Sequence, residues 1–79
     1  MKTNINFAAL VREIRRTLGI TQEQLARDLH VTFSTVNGWE NGKHRPIPAL
    51  VGRLVELADA SHIPPARYAL RPRRPKRRP

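Results

Sequence analysis

Apolar residues recur at Phe7, Leu10, Val11, Ile14 and Leu18, with Arg12, Glu13, Arg15 and Arg16 set between them. This three-and-four spacing gathers the apolar positions on one stripe and predicts a helix over residues 6–18. Asn6 suits its N-cap, and Gly19 suits the left-handed residue that ends a helix. A second helix is predicted over 22–29. Thr21 and Gln24 have the capping-box spacing, Ile20 and Leu25 can close a hydrophobic staple across it, and Leu25, Ala26 and Leu29 form the buried stripe. Thr32 opens a third helix, 33–41, in which Val36 and Trp39 share a face and Gly42 follows as terminator. Pro46 and Pro48 mark residues 43–48 as a loop. Pro48 also suits the first turn of a fourth helix, 48–59, whose apolar positions are Leu50, Val51, Leu54, Leu57 and Ala58. Beyond it the pattern weakens. Ile63-Pro64-Pro65 breaks the chain, and Ala66 to Leu70 leaves room for one helical turn.

These elements predict an all-α domain, a compact bundle of four to five short helices. Its 79 residues suffice for one small core, placed here at residues 1–66. From Arg71 onward prolines alternate with arginines and a lysine, and nothing apolar is left to build on. A basic tail over 67–79, disordered when free, is the expectation. Charge sharpens this division. The chain carries 15 Lys and Arg against 6 Asp and Glu, a net charge of +9. Seven of those basic residues fall in 67–79 with no acidic one, which leaves +2 on residues 1–66. Such a chain favours polyanions, but charge alone does not choose among DNA, RNA and acidic lipid.

The choice comes from motif. The run from Thr21 to Lys43 contains T-Q-E-Q-L-A at Thr21–Ala26, V-T-F-S-T-V at Val31–Val36 and W-E-N-G-K at Trp39–Lys43. In this combination and spacing it resembles the phage-repressor, Cro-like (XRE-type) helix-turn-helix family, over about residues 7–60. The resemblance implies a lambda-repressor-like fold and double-stranded DNA as partner. It implies a small transcriptional regulator, a repressor or autoregulator, that binds DNA sequence-specifically with helix 33–41 in the major groove. In this motif the second helix reads bases while the first crosses the backbone. A homodimer reading half-sites about one turn apart is also implied, with helix 4 and residues 61–70 as the surfaces available for it.

Val36 and Trp39 turn inward, so Phe33, Ser34, Asn37, Gly38 and Asn41 are left on the outer face of the third helix. Ser34 and Asn37 are the leading base-contact candidates, since a hydroxyl and an amide pair with base edges and Asn can bind adenine bidentately. Phe33 either touches a thymine methyl or folds back on the second helix. Gly38 stands where the family often has a long polar side chain, and permits only close backbone approach. Gln22 resembles the family's phosphate-binding glutamine, and Thr21 can share that role from the same helix N-terminus. Asn41, Lys43 and Arg45 match positions that hold the DNA backbone in the family. Arg15 and Glu40 match its structural ion pair between the first and third helices. The turn position usually held by glycine is His30, which tolerates a positive φ less well.

Other classes fit less well. His30, His44 and His62 are scattered, there is no cysteine, and neither a metal-ligand spacing nor a phosphate loop is present. No enzyme activity, metal or cofactor is expected. No apolar run approaches the roughly 20 residues of a membrane span, and no signal peptide opens the chain. The expected location is the cytoplasm. Two alternatives stay open. One is an antitoxin-type module that binds a toxin or other protein partner and represses its own operon. The other is a non-specific DNA or RNA binder driven by the basic tail. The core is completed by Ile63, Tyr68 and Leu70, or by a second subunit.

Overall fold

The computed structural model describes residues 4–70. Four α-helices follow one another: α1 (Phe7–Leu18), α2 (Gln22–Leu29), α3 (Phe33–Glu40) and α4 (Pro48–Ala60). The expected starts are met by the expected caps. Asn6 Oδ1 accepts from the Ala9 N–H at 3.2 Å. Thr21 and Gln24 close the reciprocal capping box, with bonds of 3.1 and 2.8 Å. Thr32 Oγ1 accepts from the Thr35 N–H at 3.2 Å. Pro48 opens α4, where its missing N–H would have had no helical partner.

All four helices end alike. A residue with φ between 60 and 74° follows each one: Gly19, His30, Gly42 and His62. The next N–H then folds back onto the last turn. Ile20 donates to the Arg15 carbonyl at 3.1 Å, Val31 to Ala26 at 2.9 Å, Lys43 to Gly38 at 2.9 Å and Ile63 to Ala58 at 2.8 Å. This is the Schellman closure, which satisfies carbonyls the helix leaves free and turns the chain sharply. Two of the four left-handed positions are histidines, one of them the residue His30 that departs from the family pattern.

The turns let the helices wrap one core. Leu10, Val11 and Ile14 of α1, Leu25 of α2, Val36 of α3 and Leu54 and Ala58 of α4 are fully buried, and Trp39 is 2% exposed. Each large apolar side chain so buried contributes about 1.5–3 kcal/mol. Ala26, 3% exposed, sits in the core shared by α2 and α3, where a small side chain allows close approach.

The segment after α4 is the part that periodicity left open. Ile63 is buried in the core. Pro65–Tyr68 forms one turn of 3₁₀-helix in place of a fifth α-helix. Two residues of strand follow: β2 (Ala69–Leu70) pairs antiparallel with β1 (Asn4–Ile5), Asn4 opposite Leu70 and Ile5 opposite Ala69. The Asn6 N–H donates to the Tyr68 carbonyl at 2.8 Å, and the Tyr68 hydroxyl donates to Glu13 Oε1 at 2.7 Å. That bond to Glu13 raises the Tyr68 phenol above its ordinary range. Arg67 Nη1 stands 3.9 Å from the same carboxylate. Ile63 and Tyr68 thus close the core from within the chain, and the fold runs past residue 66 to Leu70. The remainder of the basic tail, 71–79, lies outside the described residues.

Candidate nucleic-acid interface

The turn between α2 and α3 is short because His30 takes the left-handed conformation, at φ 60°. Thr32 caps α3 immediately afterwards, so the two helices are fixed through their joint as well as through Leu25, Ala26, Leu29 and Val36.

Behind α3 lies a charged anchor. Glu40 is 5% exposed, yet both oxygens of its carboxylate meet donors. Arg15 Nε reaches Oε2 at 2.6 Å and Arg15 Nη2 reaches Oε1 at 3.0 Å, a two-pronged pair. Gln22 Nε2 donates to Oε1 at 3.0 Å. Arg12 Nε stands 4.0 Å away, and Arg12 Nη2 donates to the Glu40 backbone carbonyl at 2.7 Å. Burial pushes this carboxyl up. The hydrogen bonds from Arg15 and Gln22 and the charges of Arg15 and Arg12 outweigh that effect, and Glu40 lies below the usual carboxylate range. Arg15 is raised in return, first by its hydrogen bonds to Glu40. The ion pair expected between the first and third helices is therefore present, with two partners the sequence did not disclose. Arg12 ties down the last turn of α3. Gln22 carries the tie across to the start of α2.

The outer face of α3 holds the expected reading residues. Phe33 is 46% exposed and does not fold back into the core. Ser34 is exposed, and Asn37 is half-buried. Around this face, Thr21, Asn41, Lys43 and Arg45 are exposed and Gln22 is half-buried. The Thr21 side chain is spent on capping, and one Gln22 amide hydrogen on Glu40. Arg45 lies over the Phe7 ring, 5.6 Å from its centroid, which fixes the loop after α3 against the start of α1.

Gly38 differs from expectation. It is buried although it lies opposite the core stripe of Val36 and Trp39. The cover is the His44 imidazole. A Cβ added at Gly38 would meet His44 Nε2, with the ring carbons Cδ2 and Cε1 each 2.8 Å away. The open backbone approach expected at Gly38 is thus taken by a side chain that sequence reasoning had set aside. Gly42, at φ 74°, and the Lys43-to-Gly38 bond turn the chain back so that His44 lies over the helix. Among the described residues, no group of three or more His, Cys, Asp or Glu gathers as a metal site would. No helix among them is long and apolar enough to cross a membrane.

The comparisons with known proteins agree with this geometry. A family model described as a helix-turn-helix domain matches residues 6–67. The chain belongs to the helix-turn-helix domain family. Its match covers all four helices and the 3₁₀ turn up to Arg67. An uncharacterized HTH-type transcriptional regulator of Methanothermobacter thermautotrophicus is 39% identical over 54 residues, 68% of this chain and 78% of the relative. No solved structure matches.

Proposed function

We propose that this protein binds double-stranded DNA sequence-specifically as a small transcriptional regulator of Cro-like type, acting as a repressor or autoregulator. The observation that carries the reading is α3. It is locked from behind by Trp39 and by Glu40 with its Arg and Gln donors, while Phe33, Ser34 and Asn37 remain on its outer side. An exposed helix fits the major groove, where each base pair shows its own pattern of donors and acceptors. Ser34 and Asn37 serve as hydrogen-bonding readers and Phe33 as a methyl contact. Thr21 and Gln22, with the backbone N–H groups at the start of α2, face one phosphate strand, and Asn41, Lys43 and Arg45 face the other. Phosphate contacts set register and affinity, and base contacts set sequence. The relative named as a transcriptional regulator supports the same reading.

The test is selection of bound duplexes from a random DNA pool at near-physiological salt. An enriched palindrome with half-sites about one turn apart is the expected result, and makes the regulator a dimer on its operator. Salt-sensitive binding without enrichment overturns sequence-specific reading and leaves a backbone binder driven by the basic tail.

A further inference from the structure

We propose that His44 is a sequence-reading residue, delivered from the loop after α3 into the place left empty by Gly38. This rests on the DNA-binding reading above and assigns it a specificity-determining group.

Position 38 lies near the outermost line of α3, because successive residues turn by about 100° and Val36, Trp39 and Glu40 point inward. A side chain rooted there would be the one most directly presented to a groove. Gly38 has none, and His44 Nε2 occupies the space that its first carbon would fill. The ring therefore stands where the missing reader would stand. The turn that carries it is fixed at several points. The Gly42 N–H donates to the Trp39 carbonyl at 3.1 Å and the Lys43 N–H to Gly38 at 2.9 Å. Arg45, on the far side, is held over Phe7. His44 itself stays exposed, so it remains available to a partner while Gly38 beneath it is buried.

The ring sits end-on, with Nε2 turned onto Gly38, so the nitrogen left to a partner is Nδ1, a hydrogen-bond donor when it carries the proton. The fitting partners in a major groove are base-edge acceptors such as purine N7 and guanine O6. Glycine at 38 is then required because it makes room for His44. Any larger residue there drives the ring off the helix.

The test repeats the random-pool selection with His44→Ala and Gly38→Ala, with Lys43→Ala as a backbone-contact control and thermal melts to confirm folding. His44→Ala leaves the Gly38 backbone untouched. Gly38→Ala retains the imidazole but displaces it, and the clash is with a movable ring, so both variants should fold. The expected result is loss of preference at the same single base pair in both, on the order of five- to tenfold, with the rest of the motif kept. Lys43→Ala should instead weaken all sequences alike. An unchanged motif in His44→Ala, an even loss across sequences, or losses at different base pairs in the two variants would each overturn the proposal. A wild type that enriches no motif would overturn sequence reading altogether, which separates failure of the functional reading from failure of the His44 assignment.

Discussion

Glu40 shows how one residue's environment becomes stability and fixes the end of α3. A carboxylate this deeply buried is costly unless its partners are fixed, and removing one of them strands the charge. Arg15→Ala should therefore cost about 3 kcal/mol, lowering Tm by roughly 12–24 °C in a domain of this size. Affinity per folded molecule should change little; an unaltered melting temperature would refute the anchor. The pH dependence follows from the lowered folded-state value of Glu40. Its stabilisation is complete above the ordinary carboxylate value that the unfolded chain has. It is lost as pH falls from there through the folded value, because the unfolded chain takes up the proton first. Glu40→Gln should be less stable at neutral pH and show a shallower acid limb in urea titrations. A parallel acid limb would mean that Glu40 contributes nothing to it. The Arg15–Glu40 pair was legible through the family motif. Arg12 and Gln22 were not, because their contacts with Glu40 depend on how α1 and α2 sit against the end of α3. His44 was invisible for a related reason: its contact with Gly38 exists only after the Gly42 turn folds back.

Among the elements, the helices and their starts were readable nearly residue by residue. Caps and apolar periodicity are local, and the core they build took the expected residues except Leu18, which at the last position of α1 is 43% exposed. The ends beyond α4 were not readable. A two-residue strand pair has no period, and the Tyr68-to-Glu13 bond joins residues far apart in sequence. His30 was marked in advance as a residue in a glycine position, and the backbone there is left-handed as that position requires. His62, at φ 61°, repeats the situation at the end of α4 and lies outside the proposed interface. A non-glycine residue in this region costs about 1–2 kcal/mol, and glycine's greater unfolded-state entropy returns part of it. His62→Gly should accordingly stabilise the fold by up to about 1 kcal/mol. Chemical denaturation checks this, and a loss of stability would show that the imidazole makes a compensating contact.

For the whole molecule, charge and fold divide the work. Residues 1–66 carry only +2 of the total +9, so non-specific attraction to a polyanion resides mainly in the chain's last part. Deleting residues 71–79 should weaken binding to every duplex alike and flatten the dependence of affinity on salt, since each phosphate neutralised steepens that slope by about 0.9. An unchanged slope would mean that the tail makes no phosphate contact. The folded domain should keep its sequence preference without the tail, because the proposed readers all lie on α3 and the turn that follows it.

The most direct test of α3 as the reading helix compares wild type with Asn37→Ala on the selected duplex, its single-base variants and a scrambled duplex. The substitution should erase about 1–3 kcal/mol of discrimination at one base pair and leave scrambled-duplex affinity unchanged. An equal fall on every duplex, with all preferences intact, would contradict it.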